Sequence, residues 1–101
     1  MSIFSTLFGP KTDYKELRKN GGVIVDVRTK GEYSGGHIKG SINIPLELFG
    51  SQMGRLKKNK PVLLCCASGI RSGSATRMLI SAGYAQAYNG GGWRRLESKL
   101  S

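Results

Sequence analysis

A chain of 101 residues with 39% hydrophobic content has room for one domain and for a core that needs no disulfide, and it contains no repeats or low-complexity tracts. Sixteen basic residues against six acidic ones give a net charge of +10, and from Ser51 onward nine Lys or Arg face a single acid, Glu97. Without interleaved aromatics or a recognition motif, that charge fits a solvated basic surface or a field that gathers small anions, and it argues against nucleic-acid binding.

Residues 1–12 are mildly apolar at Ile3, Phe4, Leu7 and Phe8 but lack the basic start, sustained apolar core and cleavage site of a leader. They are expected to form an N-terminal arm, either one helical turn or an edge strand, with the domain proper over 13–101. Asp13 with Glu16 forms a capping-box pattern that opens a short helix, with Leu7, Tyr14 and Leu17 as apolar contacts and Asn20-Gly21-Gly22 as its stop. The β-branched run Val23–Val27 reads as a strand buried on both faces. Thr29 to Glu32 is a second capping box, opening a helix through Tyr33 that Gly35-Gly36 ends. His37–Gly40 is a turn, and Ile42–Ile44 a short strand halted by Pro45. Leu46, Phe49, Met53 and Leu56 share one helical face as far as the break at Asn59-Lys60-Pro61. Val62–Cys66 is the third buried strand. Ala75, Met78, Leu79 and Ala82 mark the next helix, with Gly83 as its C-cap. A fourth strand is expected over Ala85–Tyr88, a flexible turn over Asn89–Gly92, and a closing helix through Trp93, Leu96 and Leu100. This alternation predicts an α/β fold with a mostly parallel central sheet and helices on both faces. Ligands in such sheets sit at the carboxyl ends of strands, where Asp26-Val27-Arg28 and Cys66 fall.

The chemistry is expected in Leu63–Ser72, which holds both cysteines of the chain. A strand that turns through small residues into a helix leaves backbone N–H groups converging on an anion, and a thiol placed there is favoured as thiolate by the helix end and by Arg71. A bridge between neighbouring cysteines would be strained and close almost no loop, so both are expected reduced, in the cytoplasm. Two frames are available. Counted from Cys65, the run is C-x5-R followed by Ser72, a phosphatase or arsenate-reductase spacing. Counted from Cys66, the cradle is one residue shorter and suits a sulfur better than a tetrahedral phosphate. In that frame Cys65 is a plain strand residue or a resolving thiol. Arg71 either walls the cradle or pairs with Asp26 or Glu32. Asp26 and Arg28 read as a structural pair, and His37 as structural in preference to the base of a Cys/His pair. Gly69 is expected at positive φ, and Trp93 in the core or beside the pocket. No metal site or G-x-G-x-x-G nucleotide loop is visible.

With these pieces in order, the sequence resembles the rhodanese family of sulfurtransferases in its single-domain bacterial form. The matching elements, across residues 13–95, are Asp26-Val27-Arg28, Glu32-Tyr33, Gly36–Gly40, Asn43-Ile44-Pro45, Cys66–Arg71 and Gly91-Gly92-Trp93. The resemblance implies a rhodanese-like domain and a double displacement with Cys66 as the catalytic nucleophile. Ala67, Ser68, Gly69, Ile70 and Arg71 would be its substrate-binding cradle. It implies a donor such as thiosulfate or a persulfide, and cyanide, small thiols and thioredoxin-like or other thiol proteins as acceptors. No cofactor, nucleic acid or membrane enters. Glu32 and Ser68 depart from the vertebrate-type enzymes, where the matching positions are cationic. A non-enzymatic module that binds partners or senses oxidants is the competing class.

Overall fold

The computed structural model describes residues 12–101, so the expected arm and the contacts of Leu7 lie outside the described residues, Thr12 aside. Within them, helices and strands alternate. In chain order they are α1 (Tyr14–Lys19), β1 (Val23–Asp26), α2 (Lys30–Ser34), β2 (Ile42–Asn43), α3 (Leu46–Gln52), β3 (Val62–Cys66), α4 (Ile70–Ser81), β4 (Ala87–Gly92) and α5 (Trp93–Leu100). The two capping signals are realised locally. The Asp13 side chain accepts from the Glu16 N–H at 3.0 Å, and Thr29 and Glu32 form a reciprocal capping box.

The strands form one sheet in the order β2-β1-β3-β4, and every pairing is parallel. The pleat divides the core in two. Val25, Val62, Leu64 and Cys66 face Phe49 of α3 and Ala75 and Leu79 of α4. Ile24, Leu63 and Cys65 face Ile38 and Leu96, with Tyr14, Leu17 and Trp93 packed around them. Helices therefore cover both faces, which is why the two central strands read as unbroken apolar runs and not as alternating ones. With all strands parallel, their carboxyl ends share one edge, and Asp26 and Cys66, the last residues of β1 and β3, lie along it.

Three expectations need correction. The apolar face that runs to Leu56 is built from α3 followed by a 3-10 turn at Met53–Arg55, so the helix is shorter than its periodicity suggests. α4 is capped by Ala82, with Gly83 following in the left-handed region at φ 95°. The fourth strand lies at Ala87–Gly92, so the glycine run is strand and not flexible turn. Its register with β3 slips between Leu64↔Asn89 and Cys66↔Gly92, placing one extra residue on β4. Such a bulge bends a strand and re-aims the residues beyond it.

Candidate active site

β3 ends at Cys66, and Gly69, at φ 104°, turns the chain into α4, a conformation that glycine adopts without a Cβ clash. The turn folds the backbone around the sulfur. The Gly69 N–H donates to Cys66 Sγ at 2.9 Å, and the N–H and hydroxyl of Ser72 each lie 3.4 Å from it. Burial alone would push the Cys66 thiol up, but hydrogen bonds from the Ser72 hydroxyl and from the N–H groups of Ser72, Gly69 and Ser68 outweigh it and hold the thiol below its usual value. The sulfur is buried and the loop over it is not: Ala67 and Ser68 are exposed, and the Ile70 side chain, at 78% exposure, points away into solvent.

Cys65 occupies the opposite environment. It belongs to the other half of the core, and burial, then the nearby Asp26 charge, pushes its thiol up to about 12. The N–H groups of Gly69 and Ser72 close on Cys66, so the turn's donors follow the frame counted from Cys66. The two thiols do not share a pocket from which Cys65 could resolve Cys66.

Arg71 turns from the cradle to Glu32. Its guanidinium makes a two-pronged bridge, Nη1 to Oε1 at 2.8 Å and Nη2 to Oε2 at 3.0 Å, and this, together with the Thr29 N–H, lowers the Glu32 carboxyl to about 2. Of the alternatives open for Arg71, the pairing with Glu32 is the one formed, and it ties the start of α4 to the start of α2. Asp26 and Arg28 form a second, buried pair at 2.7 Å, and Arg28 also donates to the Gly36 carbonyl at 2.7 Å and lies 4.8 Å above the Trp93 ring. Through these bonds Arg28 ties the end of β1 to the turn that follows α2. His37 stacks on Tyr33 at 3.7 Å and gives its Nδ1 proton to the Tyr33 carbonyl at 2.7 Å, bonds that hold the ring within its own turn.

Two residues outside the expected set complete the site. Ser72, the first buried residue of α4, supplies the only side-chain donor to the sulfur among the described residues. Asn89, on β4, accepts from the Ser72 hydroxyl at 2.7 Å and from the Gly91 N–H at 3.0 Å, and donates to the Gly69 carbonyl at 3.0 Å. One amide thus fastens both ends of the cradle to the neighbouring strand. Among the described residues no group of three or more His, Cys, Asp or Glu gathers as a metal site. The arrangement can stabilise a sulfur anion at the end of a buried cysteine, and several N–H donors converging on such a charge each contribute about 1.5–3 kcal/mol.

A family model for the rhodanese-like domain matches residues 11–99. Over 78 residues the chain is 37% identical to the uncharacterized protein YqhL of Bacillus subtilis, covering 76% of this chain and 62% of that protein. It is 30% identical over 89 residues to the thiosulfate sulfurtransferase GlpE of Pseudomonas fluorescens, covering 88% and 80%. A rhodanese from Escherichia coli solved with anions superposes with a TM-score of 0.69 at 33% identity, covering 73% of this chain and 89% of that one.

Proposed function

The chain belongs to the rhodanese family, and from that premise we propose that it is a sulfurtransferase working through a persulfide on Cys66. The observation that carries this reading is the convergence of Gly69 N–H, Ser72 N–H and Ser72 hydroxyl on Cys66 Sγ. In the first half-reaction the Cys66 thiolate attacks the outer sulfur of the donor. With thiosulfate, the donor's S–S bond breaks, sulfite leaves with the electron pair, and Cys66 carries the outer sulfur as a persulfide anion. In the second, a cyanide ion or an acceptor thiolate attacks that outer sulfur, and Cys66 leaves as thiolate, ready for the next donor. Neither half-reaction needs a general base, because both nucleophiles are already anions, which agrees with His37 being held in its own turn.

The cradle of Ala67 to Arg71 acts in this scheme through backbone more than side chains. Ile70 points outward and Arg71 is engaged by Glu32. A sulfonate therefore meets a neutralised arginine at that point, and a small persulfide suits the site as donor at least as well as thiosulfate. Intact-mass measurement after incubation with thiosulfate and with a low-molecular-weight persulfide tests the proposal. A gain of one sulfur atom, lost on adding cyanide and absent in Cys66→Ser, is the expected result. Wild-type protein that gains no sulfur from either donor would overturn it.

A further inference from the structure

A cavity of about 640 Å³ opens beside the cradle, with Ala67 and Ser68 as one wall and the glycines of β4 and Trp93 behind. Three cations border it, Arg94, Arg95 and Lys99, all on α5, and no carboxylate does. Among the described residues none of the three is in an ion pair. Aromatic faces support two of them without neutralising them: the Arg94 guanidinium lies 4.9 Å from the Trp93 ring, and the Lys99 ammonium 5.5 Å from that of Tyr14. No side chain caps the start of α5, so its first N–H groups add to the positive field at the same rim.

The volume lies in the range of small-molecule sites. Thiosulfate or cyanide would fill only a corner of it. The wall of Ala67 and Ser68 directly follows Cys66 in the chain, so a molecule seated in the cavity has one end at the cradle and the other on the cations of α5. We propose that this cavity is the acceptor site, and that its occupant is a small thiol carrying an anionic tail of two or more carboxylates. The inference rests on the sulfurtransferase reading and adds to it the class of acceptor. The acceptor thiolate forms an S–S bond to the outer sulfur, the bond from that sulfur to Cys66 breaks with its electron pair passing to Sγ, and the acceptor departs as its own persulfide. Arg94 and Arg95 offer planar, fixed donor pairs that match carboxylate geometry.

The test uses wild-type protein already carrying sulfur on Cys66 and three acceptors: mercaptosuccinate, 2-mercaptoethanol and cysteamine. For each, kcat/KM is expressed per thiolate, so that differences in thiol pKa drop out. Mercaptosuccinate is expected to exceed 2-mercaptoethanol by about tenfold or more, and cysteamine to be slowest. In Arg94→Gln/Arg95→Gln the ratio of mercaptosuccinate to 2-mercaptoethanol should fall to within about threefold. In Lys57→Gln/Lys58→Gln, which removes equal charge from residues outside the cavity, it should persist. A flat series in wild-type protein overturns the inference, as does an equal loss in the two double variants, which would mark a general effect of net charge. If wild-type Cys66 fails to load with sulfur at all, the parent reading falls and takes this one with it.

Discussion

Ser72 has one hydroxyl proton and two acceptors within reach, Asn89 Oδ1 at 2.7 Å and Cys66 Sγ at 3.4 Å. While the thiol is neutral the nearer amide holds the proton. When the sulfur ionises, the hydroxyl gains more by turning to it, and Asn89 Oδ1 keeps the Gly91 N–H at 3.0 Å, so no acceptor is orphaned by the turn. A hydrogen bond to a charged group contributes about 1.5–3 kcal/mol, and about 1.4 kcal/mol corresponds to one pH unit. Alkylation of Cys66 by iodoacetamide should therefore follow a pH–rate profile with its midpoint below that of a free thiol, and Ser72→Ala should raise the midpoint by about one pH unit. An unmoved midpoint would mean that the backbone N–H groups alone set the thiolate. Cys65, pushed up to about 12, should stay unmodified in the folded protein, as peptide mapping of the same samples would reveal. Its burial also has a cost at alkaline pH. The unfolded chain loses the Cys65 proton near about 8.5 while the folded chain keeps it, so stability declines as pH rises from there toward 12.

The junction of β4 and α5 is where two backbones meet without side chains between them. A Cβ added at Gly92 would come within 2.9 Å of the Ala67 carbonyl oxygen, although its φ of −67° suits any residue. At Gly91 the case is reversed: nothing lies within 4 Å of an added Cβ, but φ is 84°. The two substitutions should therefore fail differently. Gly91→Ala should cost roughly 1–2 kcal/mol of stability, through conformation alone, and leave the Cys66 alkylation rate close to wild type. Gly92→Ala should push the loop off its place and slow that alkylation by about tenfold, whatever its effect on urea unfolding. Equal alkylation rates in the two variants would show that the contact with Ala67 does not hold the cradle. This junction was also the least legible part of the sequence. Asn89-Gly90-Gly91-Gly92 has the composition of a turn, and what makes it a strand is pairing with β3, some 25 residues earlier, which no local signal carries. For the same reason Asn89 could not be foreseen as the anchor of the cradle. The caps at Asp13 and Thr29 and the positive φ of Gly69 were readable because each depends on a few neighbouring residues. Arg71 lay between: its alternatives were clear, but the choice of Glu32 required the spacing of α2 and α4 in space.

For the whole molecule, the parallel α/β architecture was legible because the buried runs of β1 and β3, separated by helical patterns, admit few other arrangements. The charge is a separate matter. Only two ion pairs form among the described residues, so most of the basic side chains there remain unneutralised. Raising ionic strength from about 0.01 to 0.15 M shortens the Debye length from about 30 to 8 Å. The rate at which thiosulfate loads Cys66 should fall by about threefold or more across that range, whereas alkylation of the same sulfur by uncharged iodoacetamide should not change. A flat thiosulfate profile would mean that the field does not steer the donor. The one-way sheet has a further consequence, for engineering. Strand entries gather at the edge opposite Cys66, where the connectors Asn20–Gly22, Lys57–Pro61 and Gly83–Gln86 run. Residues 57–60 are all exposed, and a five-residue strand separates them from the cradle by about 15 Å at ~3.3 Å per residue. A tag, a fluorophore or a whole guest domain spliced into that connector would ride on the protein without sharing space with its sulfur chemistry.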